Sequence, residues 1–278
     1  MKELKMNQGK VYIVATPIGN LGDISLRAIE ILKSVTVVFC EDTRTSGILM
    51  KKYNIKTKLS SLHKFNELAR EENFRKLLSQ GNDVAIISDA GTPLISDPGQ
   101  FIISKIKADF EIISVPGATA IISALTSSGL VFDSFAFFGF IPKEKNKIKK
   151  IIKENLMIDL LIFYESPKRI RNTLEKIMEL YGDIKITIAR EITKTYEENK
   201  TCLISTWITK EIRGEIVLIF NAKENAKKIQ EQETIEKMML LKGDGIKNKT
   251  IAKILENNLF TKNEIYKKLI DFEKKEIN

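Results

Sequence analysis

Short apolar runs and stretches of helical periodicity alternate along the first part of the chain, and the alternation predicts the elements directly. Residues 11–15, 35–40, 84–88 and 111–115 read as strands, and residues 25–34, 67–80 and 99–107 as helices, the second of them ending at Gly81. The strand–helix order makes the sheet largely parallel. Pro116 and Gly117 interrupt the pattern. A second unit then opens with an apolar helix at 118–128, strands at 134–139, 159–164, 185–189 and 215–220, and helices at 170–181 and around 204–212. After Phe220 the chain turns strongly polar and carries helical segments at 230–242, 248–257 and 262–272, with Thr261 as N-cap and Glu264 three residues on.

This order predicts an α/β protein of two αβα domains, with a ligand cleft between them, plus a small C-terminal helical appendage. The boundaries fall at residues 1–116, 117–222 and 223–278, and a chain of 278 residues suits two cores better than one.

Composition narrows the function classes. Hydrophobic residues make up 43% and charged residues 29%, an ordinary globular balance. No apolar run approaches the roughly 18 residues of a membrane helix, and the polar first ten residues do not read as a signal peptide. Cys40 and Cys202 are far apart, so neither a disulfide framework nor a metal site is expected, and a reducing cytoplasmic location follows. The formal net charge of +9 is concentrated in lysine-rich stretches at 143–153, 223–228 and 242–275. A polyanion such as RNA would explain the surplus, and solubilising surface lysine explains it equally well.

The candidate chemistry lies where strands end. The loop from Ser88 to Gly99 follows a buried strand, two prolines stiffen it, and two glycines let a ligand approach the backbone. Residues 16–25 form a similar Gly/Pro loop opening a helix, but they match neither a dinucleotide fingerprint nor a P-loop. Glu41, Asp42 and Arg44 follow another strand, where they can orient a polar substrate or form a salt-bridged turn. Tyr164 to Arg169 and Ala189 to Lys194 place charged residues at two strand ends of the second domain, where surface pairing is the competing reading. His63, the only histidine, lacks partners for a metal. Without a nucleophile–base set or a redox motif, group transfer by positioning fits better than covalent catalysis.

These loops, in this order, resemble the tetrapyrrole methylase superfamily, whose members bind S-adenosylmethionine between two αβα domains. They are most similar to its members that methylate the ribose 2′-hydroxyl of a cytidine in 16S rRNA. The matching segments are 16–23, 41–44, 88–99, 115–120, 139–142, 164–169 and 189–194, with a looser match at 262–266. The resemblance implies cofactor binding by Pro17, Ile18, Gly91, Thr92, Pro93, Leu94, Ile95, Thr119, Ala120 and Tyr164. It places a proton acceptor or orienting group among Asp23, Glu41, Asp42, Glu191 and Lys194. Arg44, Lys168, Arg169 and Arg190 are the candidates for RNA phosphates, on 16S rRNA in the small ribosomal subunit, and a homodimer is implied. Two positions depart from the family pattern. Residues 116–120 read Pro-Gly-Ala-Thr-Ala where Pro-Gly-Pro-Ser-Ala is common, and Lys168 stands where His is frequent, which removes any role for a neutral imidazole. Porphyrinoid carbon methylation and non-enzymatic RNA binding are the alternative functions.

Overall fold

The computed structural model describes residues 8–63, 67–256 and 260–276. The chain divides into two compact units. The first holds the residues up to Leu130 together with Ile188–Lys200 and Gly214–Val217, and the second holds Val131–Thr187, Thr201–Arg213 and everything from Leu218 onward.

The first unit is built on β1 (Val11–Val14), β2 (Val37–Cys40), β3 (Lys58–Ser61), β4 (Val84–Ile86) and β5 (Ile112–Val115), in the sheet order β3-β2-β4-β1-β5. Every pairing is parallel, with Val11 opposite both Val84 and Ile112. One face carries Val11, Ile13, Phe39 and Ile86 against Phe74 and Leu78 of α3 (Glu67–Ser79) and Ile102 and Ile106 of α4 (Gln100–Ile106). On the opposite face Val14, Val38, Ala85 and Val115 pack on Ala28 and Leu32 of α1 (Leu26–Ser34) and Met50 of α2 (Thr43–Lys52). Burial on both faces accounts for the unbroken apolar runs in these strands. The unit also contains α5 (Ala120–Ser127).

The second sheet runs β6-β7-β10-β8-β9, from β6 (Phe135–Phe140), β7 (Leu160–Glu165), β8 (Lys185–Arg190), β9 (Glu198–Leu203) and β10 (Ile216–Asn221). β6 and β7 are parallel, with a register shift between Phe137 and Phe140 where Gly139 takes a positive φ of 69°. Helices α6 (Lys145–Glu154), α7 (Ile170–Tyr181) and α8 (Ile204–Ile208) follow the chain through this region. Asp159 ties two strand starts together by accepting hydrogen bonds from the amides of Asp133 and Ser134 at 2.7 and 3.0 Å.

The C-terminal helices are α9 (Ala222–Gly243), α10 (Asn248–Leu255) and α11 (Lys262–Glu276). They share a small core of Met238, Ile251, Phe260, Ile265 and Leu269. Thr261 and Glu264 form the expected reciprocal cap, the Thr261 amide donating to Glu264 Oε2 at 2.8 Å.

All the strands and helices read from the pattern are present, with ends shifted by a few residues. The larger differences are α9, which begins eight residues earlier behind Asn221 as N-cap, and α8, which stops at Ile208. Elements not anticipated include α2, β3, α6, β9 and a 3-10 turn at Leu21–Asp23. Of the loop expected around His63, residues 64–66 lie outside the described residues, as does residue 257 of the expected 248–257 helix.

Candidate active site

The sheet order explains why ligand-facing loops gather at one edge of the first unit. From β1 the chain moves toward β2, and from β4 it moves the other way, toward β5. The helices that follow, α1 and α4, cover opposite faces. The carboxyl ends of the adjacent strands β1 and β4 therefore form a switch point, where two connections diverge and leave a crevice.

Three loops meet there and interlock. Thr16 and Gly91 exchange backbone hydrogen bonds at 2.9 and 3.1 Å, and Thr16 Oγ1 also donates to the Ser88 carbonyl at 3.1 Å. The Thr92 hydroxyl donates to the Ala118 carbonyl at 3.2 Å. Gly91 has φ +80°, and a Cβ on it would lie 3.2 Å from Ile18 Cγ2, so glycine serves both the left-handed turn and the close packing. Leu94 and Ser96 also take left-handed backbone at 71° each, a strain that surrounding contacts must hold in place. Gln100 Nε2 donates to the Leu94 carbonyl, and the Gly99 amide donates to buried Glu67 at 2.9 Å.

A cavity of about 250 Å³ opens at the switch point. Its apolar wall includes Ile18, Leu21, Ile48, Leu49 and Ile87. Thr16, Ser46, Ser88, Asp89, Lys194 and Glu215 supply its polar groups. Ser46 is only 4% exposed, and its hydroxyl lies within hydrogen-bond reach of the Cys40 thiol.

Lys194 is the best-defined charged group on this wall. Its Nζ donates to Glu191 Oε1 at 2.9 Å and to Glu215 Oε2 at 3.1 Å, and its stem lies across Gly19, where a Cβ would come within 2.6 Å of Cγ. Glu191 Oε1 also accepts from the Glu215 amide at 3.2 Å. The backbone carrying this pair is strained, with φ +49° at Glu191 and +64° at Thr193, the latter a β-branched residue that rarely adopts it. Thr193 is pinned twice: its amide donates to Glu197 at 2.7 Å, and its hydroxyl to Asp23 Oδ2 at 2.5 Å.

The other residues singled out from sequence are distributed as follows. Pro17 and Ile18 line the cavity, and Gly91 and Thr92 belong to the interlocked loops, with Pro93, Leu94 and Ile95 continuing one of them. Thr119 stands at the N-cap position of α5 without a side-chain capping bond, and Ala120 is the helix's first residue. Asp42 caps α2 and makes a two-pronged contact with Arg44, which holds its carboxyl down to about 2; Glu41, beside it, is exposed. Arg190 pairs with Glu198 at 2.8 Å. In the second unit Tyr164 stacks edge-on against Phe137 and Phe140, Arg169 donates to the Ile141 carbonyl, and Lys168 lines a separate basic groove.

A sequence profile for tetrapyrrole (corrin/porphyrin) methylases matches residues 10–206. The chain belongs to the tetrapyrrole methylase family. A Vibrio cholerae protein named ribosomal RNA small subunit methyltransferase I is 38% identical to this methylase, over 92% of this chain and 93% of its own. A Hydrogenobaculum protein of the same name is 46% identical over 78% of this chain and 96% of its own. Among solved structures, the uroporphyrin-III C-methyltransferase of Thermus thermophilus superposes with a TM-score of 0.53 at 18% identity, covering 77% of this chain and 93% of that one. That likeness establishes the fold, a tetrapyrrole methylase fold with two sheet-based domains, to which this chain adds C-terminal helices.

The electrostatics of the methylase's Lys194 cluster favour the fully ionised pair. Burial pulls the Lys194 ammonium down, but its hydrogen bonds to Glu191 and Glu215 outweigh this and leave its pKa above the ordinary value. The same hydrogen bond from Lys194 holds Glu191 below the usual carboxylate range. Such a pair offers a fixed proton donor to a ligand oxygen. The cavity residues not foreseen from sequence include Ser46 and Glu215. Neither sits in a recognisable motif, and Glu215 reaches Lys194 because β8 and β10 are neighbours in the sheet.

Proposed function

We propose that this protein is an S-adenosylmethionine-dependent methyltransferase acting on the ribose 2′-hydroxyl of a cytidine in 16S rRNA of the small ribosomal subunit. The observation that carries the proposal is the set of relatives of 34 to 46% identity bearing that ribosomal RNA methyltransferase name, several of them matched over more than nine tenths of both chains.

The loops at the switch point suit the cofactor. S-adenosylmethionine is amphiphilic, and a glycine at φ +80° packed on Ile18, beside a cavity with an apolar wall and a few polar side chains, is the kind of surface such a ligand uses. Pro17, Ile18, Gly91 to Ile95, Thr119, Ala120 and Tyr164 would hold it. When bound, it supplies an activated methyl group on a sulfonium leaving group.

The protein's own task is then to hold the ribose hydroxyl in line. Lys194, kept protonated by Glu191 and Glu215, orients that oxygen by donating a hydrogen bond. Asp42, held at about 2 by Arg44, and Glu191, held low by its hydrogen bond from Lys194, are weakened as bases, which leaves Asp23 and Glu41 as the carboxylates for that role. Arg44, Lys168, Arg169 and Arg190 serve the RNA backbone, and the enzyme works as a cytoplasmic homodimer. The division of the chain into 1–116, 117–222 and 223–278 belongs to the same reading.

The test is direct. Calorimetry should detect S-adenosylmethionine binding, and labelled methyl groups should pass to 30S subunits and not to a porphyrinoid acceptor. Transfer to the porphyrinoid alone would replace the substrate, and absence of cofactor binding would leave only an RNA-binding protein.

A further inference from the structure

The second unit carries a groove of about 610 Å³ in which only Lys168 has a role in the reading above. Its lining includes four cations, Lys168, Arg171, Lys210 and Arg213, against a single carboxylate, Glu211. Two come from the start of α7 and its preceding turn, and two from the segment that follows α8.

Two of these cations make contacts to uncharged groups that fix their positions. The Lys210 ammonium lies 5.1 Å from the centroid of the Trp207 ring. That indole is fully buried and anchored by Nε1 donating to the Ile186 carbonyl at 3.2 Å, so the platform under Lys210 is rigid. Arg171 Nη2 donates to the Ile208 carbonyl at 2.8 Å. Arg213 does pair with Glu211 at 2.8 Å, but their side chains are 75% and 73% exposed, and such a surface pair is weak enough for a phosphate to compete with it.

We propose that this groove is a docking site for the phosphodiester backbone of single-stranded RNA. The inference rests on the RNA-methyltransferase reading and adds to it a second contact surface outside the methyl-transfer site. Charge complementarity selects the occupant: several cations around one open groove fit a repeating anion, and the exposed Pro167 in the same lining gives a base an apolar surface to rest on.

The experiment uses the full-length protein with two changes, Lys210→Gln and Arg213→Gln. Its probes are a short single-stranded RNA oligonucleotide and purified 30S subunits, titrated over a range of salt. Affinity for both should fall about tenfold or more, and the slope of log K against log salt should flatten by about 0.7 for each phosphate that is no longer neutralised. Melting temperature and S-adenosylmethionine affinity should stay unchanged, and Lys210→Arg with Arg213→Lys should restore binding. A control that removes the exposed cations Lys51 and Lys52 should change the slope far less. Unchanged RNA affinity and slope in a variant that still methylates would overturn the groove and leave the enzyme reading standing. Loss of 30S binding with unchanged oligonucleotide binding would overturn it in favour of an acidic protein surface. A wild-type protein that binds neither probe would overturn both.

Discussion

Replacing Gly214 by alanine tests whether the Glu191–Lys194 pair is held by close packing. Gly214 has φ +85°, and a Cβ there would overlap the Glu191 carboxyl oxygen, Cδ and Cγ, well inside 3 Å. Left-handed backbone costs a non-glycine residue about 1–2 kcal/mol. Gly129 isolates that term, because it has φ +69° and nothing within 4 Å of its added Cβ. At Gly214 the whole Glu191 side chain must also swing away, which breaks its hydrogen bonds to Lys194 and to the Glu215 amide. A hydrogen bond between charged groups contributes about 1.5–3 kcal/mol, and Glu191 and Lys194 are only 21% and 30% exposed, so most of that value applies. At roughly 2–4 °C per kcal/mol for chains of this size, Gly214→Ala should melt about 3–12 °C below Gly129→Ala. In a Glu191→Ala background the obstruction is gone, and the excess should vanish in the double-mutant cycle. Equal melting temperatures for the two glycine variants, measured by calorimetry, would refute the packing argument.

Two further predictions concern the same cluster. Lys194→Met should lower the turnover of methyl transfer by about 10²-fold, as loss of an oriented hydrogen-bond donor does, while S-adenosylmethionine affinity stays near wild type; equal turnover would remove Lys194 from the mechanism. Because Glu191 is held below its unfolded pKa of about 4.3, its stabilising contribution is present above that value and is lost as the pH falls through the folded pKa. Between about pH 5 and pH 3 the wild-type melting temperature should therefore fall more steeply than that of Glu191→Gln, and parallel curves would contradict the pairing.

How much of this was legible in sequence depended on how strongly each segment is buried. The central strands β1, β4, β7 and β10 are buried along nearly their whole length, so their composition announces them. β3 and β9 end their sheets, are only partly buried, and read as polar loops for that reason. α2 was hidden by Gly47 in its interior, where nothing lies within 4 Å of the missing Cβ, and by its polar first turn. α6 looked like a lysine-rich charge run, although Ile148 and Ile152, one turn apart, are the residues that bury it. At the site, the loop from Ser88 to Gly99 was visible because proline and glycine mark a turn whatever the tertiary context. Ser46 and Glu215 were not, since their positions depend on strand order in space, which no local pattern encodes.

The central claim is that this methylase modifies a ribose in ribosomal RNA. Ribose methylation should be mapped across 16S rRNA from cells with the gene, without it, and complemented by the Lys194→Met variant. The account predicts that one 2′-O-methyl cytidine disappears on deletion and is not restored, or only weakly, by the variant. An unchanged ribose-methylation map in the deletion strain would contradict it.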